Sequence, residues 1–524
     1  VRVGVAFPRP LPVALGNLGY QTVTALFSSF PGLTVFRACP GDRRTPAPTV
    51  GRYLATVEGR LRLRDLDILA VSIPYENDYP EVYRLLTAGG IPPLARERGD
   101  GDPLVLLGGI AVTLNPEPTA EIADLTAIGE AEAILPELVP IFESLAAGRL
   151  TRRGALEEAA TVEGVFVPTI HRPDPARPPV HRPKRRLMTD LDQRVAASAF
   201  LDPDSPFGDR FLLEAARGCP RRCRFCTVRA AYHPVRRRSG ETLLAALPPL
   251  EVTRRVGLIG PSLSDMPGFV PLLDALVSSG RDVSTSSLRI ESLSGEVLAA
   301  LRRAGMRTLT IAPETGSPRL REIIGKPVPE EDLMRVTREA VEAGFTTIKV
   351  YLMIGLPGEE EADIKASSEM IRAMREAATA PEAARGEPVS IAVSAGAFVP
   401  KPWTPLQWEA MTMRKTLEAR LRILGLPLWK LPGVSFSSEL PKWAEVEGYL
   451  SRAGRGITPL IAAVAGGLPW PRALREHAAL LPPIHEAWEL DRELPWESVD
   501  LTLPREALET EAREVRRLVA EKRR

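Results

Sequence analysis

A chain of 524 residues, 44% hydrophobic and 25% charged, is long enough for two to four domains and has a globular composition. Its 67 basic and 66 acidic side chains leave a formal charge of +1, so no global field points to nucleic acid or a membrane surface. Four cysteines exclude a disulfide scaffold, and no apolar run reaches membrane-spanning length, so the expected setting is cytoplasmic.

Residues 1–145 alternate strand-like and helix-like patterns, starting with an apolar strand, Val1–Pro8, that has no charged leader. Strands are expected at Val3–Phe7, Ile68–Ile73 and Leu104–Leu107, and helices at Tyr20–Phe30, Val50–Leu61 and Tyr79–Ala88. The alternation predicts an open parallel sheet covered by helices, with ligands bound beyond the carboxyl ends of the strands. One such end reads Leu106-Leu-Gly-Gly-Ile-Ala-Val-Thr-Leu-Asn-Pro-Glu-Pro118, followed by Ile128-Gly-Glu-Ala-Glu132. Gly108 and Gly109 would let a ligand approach the backbone closely, though a tight strand-to-helix turn needs the same residues.

Residues 146–206 change texture. The run His171–Arg186 is rich in proline and arginine without an apolar period, which predicts an extended linker. Residues 207–425 alternate again, with strands expected at Phe211–Ala215, Val256–Gly260, Val283–Ile290, Thr308–Ala312, Thr346–Ile354 and Val389–Ala397. Helices are expected at Gly295–Ala304, Glu330–Ala343 and Glu361–Ala377. Six βα units predict a partial or closed barrel whose chemistry sits at the carboxyl ends of its strands. Residues 426–524 read as a helical region without recognisable chemistry, ending in a charged, periodic surface helix over Arg505–Arg524.

The stretch Arg217-Gly-Cys-Pro-Arg-Arg-Cys-Arg-Phe-Cys226 directly follows the first of the six strands. It sets Cys219, Cys223 and Cys226 at C-x3-C-x2-C spacing, so three of the four cysteines share one short loop. Iron–sulfur clusters usually take four cysteines, and three leave one iron open to a small molecule. A zinc site completed by His233 is the alternative for the same residues.

This spacing, with Phe225 just before the last cysteine and a barrel around it, resembles the radical S-adenosylmethionine (SAM) superfamily. The resemblance implies a [4Fe-4S] cluster on the three cysteines, SAM on the open iron, and an electron donor such as flavodoxin or ferredoxin. By the same resemblance, Ser262, Asp265, Ser287, Arg289 and Glu314 at successive strand ends are candidate SAM contacts. Gly355 and Gly358, in Tyr351-Leu-Met-Ile-Gly-Leu-Pro-Gly-Glu359, are expected to let adenine approach the backbone. A buried unpaired carboxylate is expensive, so Glu314 should be matched to a cation. Trp403 and Trp408, in the segment after the sixth strand, are candidates either to line a substrate or to pack.

The order of the two pieces at 106–118 and 128–132 resembles the Rossmann-like cobalamin-binding domain that accompanies some of these enzymes. That likeness implies cobalamin and, with it, methyl transfer. Many such domains supply a histidine to cobalt, but none of the five histidines here lies in residues 1–150. The expectation is therefore a cobalamin without a histidine ligand, or a unit that has lost the cofactor. Cys39 is either a soft ligand or a buried thiol. Eight arginines and no acid between residues 217 and 238 suggest either a basic rim for an acidic partner or internal charge balance. The substrate stays open between a small molecule, a peptide and RNA. Hydrogen abstraction without cobalamin, or a non-enzymatic zinc- or cluster-stabilised binding protein, are the competing functions.

Overall fold

The computed structural model describes residues 1–42, 46–59 and 61–521. Eight short strands come first among them: β1 (Arg2–Ala6), β2 (Thr34–Ala38), β3 (Thr49–Val50), β4 (Tyr53–Leu54), β5 (Ile68–Ser72), β6 (Leu104–Gly108), β7 (Leu125–Ala127) and β8 (Val165–Phe166). Six of them form one sheet in the order β2-β1-β5-β6-β7-β8, parallel except for the last pair. Val71 and Leu107 pack on one face, Ala70 and Leu106 on the other. Burial on both faces explains why these strands read as unbroken apolar runs.

Two expectations for this region fail. Val50–Leu61 is not a helix: β3 and β4 pair antiparallel around Gly51, whose φ of 61° breaks a helical run, and residue 60 lies outside the described residues. The linker also starts later than residue 146. A helix at Arg152–Ala159 and strand β8 complete the first sheet. The proline- and arginine-rich run is then stitched down, because Glu130 N–H donates to the Arg186 carbonyl and Arg186 N–H to that of Ile128.

The second unit begins with β9 (Phe211–Glu214), the two-residue β10 (Ala216–Arg217) and β11 (Arg236–Arg237), β12 (Arg255–Ile259) and β13 (Asp282–Thr285). It continues through β14 (Thr308–Glu314), β15 (Thr347–Ile354), β16 (Ser390–Ala397) and β17 (Val434–Ser438). The parallel sheets β13-β12-β9 and β14-β15-β16-β17 are joined by a bridge from Leu288 to Ile311, giving a partial barrel. Its third strand stops at Thr285, short of the expected Ile290. Its seventh strand, β17, lies in the stretch expected to be predominantly helical. The short Val-Ser-Phe-Ser-Ser run alternates its burial and carries little apolar signal of its own.

Residues 441–521 hold the two units together. Val446, Leu450, Leu460 and Ile461 join the cluster on one face of the first sheet. The helix Arg505–Glu521 is not a free surface helix, and residues 522–524 lie outside the described residues. Its Leu508, Ala512, Val515 and Leu518 are buried, the first two in a cluster with Trp403, Trp408 and Phe166 where both units meet. We expect Leu508→Ala to cost about 2–5 kcal/mol, as truncation of a buried leucine does. Denaturant unfolding would check this, read as a lower midpoint with an unchanged slope.

Candidate active site

The cysteine loop is closed at its base by the antiparallel pairing of β10 with β11. Gly218 enters it at φ 80°, and a Cβ there would lie 2.7 Å from the Tyr232 carbonyl oxygen, so only glycine fits. Inside the loop Cys226 N–H donates to the Cys223 carbonyl, and Arg224 N–H reaches the Ile324 carbonyl beyond β14. Phe225 packs against the cluster of Leu320, Leu356, Phe398, Val515 and Leu518, so the final helix braces the loop.

Two of the expected strand-end residues meet the sulfurs directly. Ser262 Oγ lies 3.0 Å from Cys219 Sγ, and an Arg289 guanidinium nitrogen lies 3.7 Å from Cys223 Sγ. Arg289 also donates to Glu291 at 2.5 Å, and Asp265 pairs with Arg221 at 3.0 Å. Ser287 is exposed. Glu314 is matched as anticipated, by Lys326 Nζ at 2.7 Å. Ser262 and Glu314 have φ of 52° and 66°, conformations that cost non-glycine residues about 1–3 kcal/mol and collect at functional sites.

Gly355 and Gly358 approach protein instead of open space. A Cβ on Gly355 would meet Leu417, and one on Gly358 would meet Val519 of the final helix. The N–H of Gly355 is taken by Glu359, whose carboxyl burial pushes up to about 7 despite that bond and Arg420. Trp403 donates its indole N–H to the Leu114 carbonyl, and Trp408 is fully buried, so both pack. Sequence reasoning missed Lys401, which crosses between the units to Glu76 and Glu447, each at 2.7 Å.

The donor set suits a multi-iron centre better than one ion. Among the described residues no three His, Cys, Asp or Glu side chains gather tightly enough for a single metal ion. His233, the expected fourth ligand of a zinc site, is exposed. The three cysteines are unbridged, and burial, followed by the neighbouring Cys223 and Cys219, pushes the Cys226 thiol up to about 11. Three soft sulfurs within electrostatic reach of one another fit a cluster in which each meets a different iron. Cys39 is elsewhere: it is buried beside Tyr20, at 3.9 Å, and burial pushes its thiol up to about 12, so it is a core residue.

The arginine-rich stretch is internal charge balance, not a rim. Arg217 bonds Glu214 at 2.9 Å, Glu132 at 2.6 Å and Glu130 at 3.1 Å, all nearly buried. Arg236 is bidentate to Glu130 at 2.8 Å, and Arg238 meets Glu214 at 2.9 Å. Arg221, Arg224 and Arg229 are spent on Asp265, on the Glu322 and Ile323 carbonyls, and on Glu511. Only Arg222 and Arg237 show no side-chain partner among the described residues. Glu130 and Glu132 come from the turn after β7, so Arg217, two residues before Cys219, ties the cluster loop to the first sheet.

Beside this network a cavity of about 280 Å³ lies between the two units. Ser72, Gly108, Gly109 and Gly129 line it from the carboxyl ends of the first sheet, and Glu214, Arg217 and Ile259 line it from the barrel. Gly108 leaves the cavity open, its nearest neighbour being Ala127 at 3.8 Å, whereas Gly109 packs on the Ile73 backbone. Burial draws Glu132 toward its neutral form, but Arg217 outweighs it and the carboxyl ends below its ordinary 4.5. The stability this pair contributes is therefore complete above about pH 4.5 and lost as pH falls through the lower folded value. Removing the cation in Arg217→Met should cost about 3–5 kcal/mol, because the buried Glu132 loses its ion-pair partner while Glu130 and Glu214 keep only Arg236 and Arg238. Thermal denaturation should show the deficit at pH 7 and its narrowing below pH 4.5.

Comparison with known proteins agrees with this geometry. A model of the N-terminal region of radical SAM proteins matches residues 41–168, and the radical SAM superfamily model matches residues 213–371. An uncharacterized protein of Methanocaldococcus jannaschii is 29% identical over 363 residues, 69% of this chain and 72% of that one. An uncharacterized methyltransferase of Pyrococcus horikoshii is 23% identical over 281 residues, 50% of this chain and 56% of that one. The fold is similar to that of the radical SAM methyltransferase TsrM from Kitasatospora setae, solved with cobalamin and a [4Fe-4S] cluster bound. The TM-score is 0.53 at 16% identity, covering 78% of this chain and 74% of that one. With the cysteine triplet at the mouth of a partial barrel and both family models in register with the two units, the chain belongs to the radical SAM superfamily.

Proposed function

We propose that this radical SAM enzyme is a cobalamin-type methyltransferase with its [4Fe-4S] cluster on Cys219, Cys223 and Cys226. The observation that carries the reading is the cavity between the glycine-bearing strand ends and the cluster loop, where the first unit faces the barrel mouth. The cluster, reduced by a donor such as flavodoxin or ferredoxin, supplies reductive cleavage of SAM, and cobalamin supplies a methyl carrier. The methyltransferase name of the Pyrococcus relative and the fold shared with a cobalamin-bound methyltransferase support the same reading.

The chain's own residues would hold and orient these groups. Arg289, at the sulfurs and partly buried, can turn its planar fork to the SAM carboxylate. Glu314 is fixed by Lys326 and can accept from the SAM amine or ribose. Ser262 and Asp265 lie on the adjacent loop, and Ser287 ends the next segment. A corrin would rest on Gly108 and Gly129 without a histidine, since none lies in residues 1–150.

A second reading, hydrogen abstraction without cobalamin, is favoured by one observation. The cavity, about 280 Å³, is at the lower edge of the range for drug-sized ligands, and a corrinoid is larger. Anaerobic reconstitution separates the two. The wild type should retain hydroxocobalamin and form methionine from SAM with dithionite. Gly108→Phe should lose corrin while keeping the cluster absorbance, and Cys226→Ala should lose iron and SAM cleavage together. Wild-type protein that cleaves SAM yet retains no corrin would establish the second reading.

A further inference from the structure

The inner face of the barrel carries a pattern that the cluster and SAM do not use. Ile348, Val350 and Leu352 of β15 and Ile391, Val393 and Ala395 of β16 are buried in the core under the helices. Successive side chains alternate across a strand, so Lys349, Tyr351, Ala392 and Ser394 lie on the opposite face. Register sets Thr310, Lys349, Ala392 and Ser435 in one row, and Tyr351, Ser394 and Ser437 in the next. The result is a floor of small and hydroxyl side chains with two large ones standing on it.

Those two are Lys349, whose Nζ lies 5.0 Å from the Tyr351 ring centroid, and Tyr351 itself, 36% exposed. Among the described residues no carboxylate pairs with Lys349, whereas Lys326 holds one and Lys401 two, each at 2.7 Å. The same face continues through Thr308 and Thr310 into a cavity of about 650 Å³ at the other end of the barrel. Arg210, Arg302 and Arg307 line that cavity, and its one acid is Asp282. The lumen thus presents unneutralised positive charge around a partly sheltered lysine. Along β15, Met353 packs against the same apolar cluster as Phe225 of the cysteine loop. Lys349 is four residues further down, about 13 Å at the rise of a strand.

We propose that this face binds the reacting substrate, and that the substrate is an elongated molecule ending in a carboxylate or phosphate. Its anionic end pairs with Lys349, an apolar or aromatic section lies on Tyr351, and its other end reaches the cluster loop. Only the last clause rests on the radical SAM reading. The lysine is then a specificity-determining residue, because a neutral analogue would leave its charge unpaired.

The full chain can be tested without cluster or SAM, so failure here is distinct from failure of the enzymatic reading. Phenyl phosphate, benzoate and phenol serve as probes, with binding followed by saturation-transfer NMR. The wild type should bind one or both anions saturably and more tightly than phenol. Lys349→Gln should weaken the anions at least about tenfold (~1.4 kcal/mol) without changing phenol. Lys349→Arg should keep most of the affinity. The preferred anion tells a carboxylate substrate from a phosphate one. Equal anion binding by wild type and Lys349→Gln, or no saturable anion binding by the wild type, would overturn the proposal.

Discussion

The contact on which this architecture depends is the buried charge cluster around Arg217. One guanidinium holds Glu214 of the barrel and Glu130 and Glu132 of the first unit, while Arg236 and Arg238 hold the remaining oxygens. Removing these ions from water is costly, and that cost is met only where nearly every donor and acceptor is paired. The arrangement therefore tolerates little sliding of one unit over the other. Because Arg217 is two residues from Cys219, the same constraint that docks the units also sets where the cysteine loop starts.

Further ties act in parallel on the other sides of the molecule. Lys401 bonds Glu76 in the first unit and Glu447 in the closing helices. Burial works against its charge, but the two carboxylates overcome that and raise its pKa. A tryptophan-rich cluster fills the junction, with Trp403, Trp408 and Trp496 beside Phe166 and Leu508. The helix Arg505–Glu521 then lies along the loop that carries the cysteines, with Glu511 on Arg229 and Val519 against Gly358. A segment with no chemistry of its own thus shapes one wall of the site. The polar inner face of the barrel is left as the accessible surface next to it.

The chemistry of the site was legible because it is local. C-x3-C-x2-C is a statement about one loop, and the βα alternation around it is a statement about period. Both survive folding unchanged, and the strand ends with their candidate residues follow from them. The arginines left two readings open, a rim or internal charge balance, for the opposite reason. Arg217, Arg236 and Arg238 lie close together in sequence, but their carboxylates are Glu130, Glu132 and Glu214, mostly some eighty to a hundred residues away. A run of like charge reads as a rim when the partners cannot be seen. Val50–Leu61 misled through its apolar spacing, which the turn at Gly51 overrode.

By itself, then, the sequence determined the loop that carries three thiols, the two α/β units around it, and the absence of histidine from residues 1–150. Each of these depends on composition, spacing or period within a short window. Only the tertiary structure decided how the units meet, that Gly355 and Gly358 face protein, and that residues 441–521 bind both units together. It also decided that Lys349 stands on an open face without a carboxylate partner among the described residues. These depend on contacts between residues far apart in the chain, where pairing, burial and cavity shape are fixed by packing and leave no mark on local pattern.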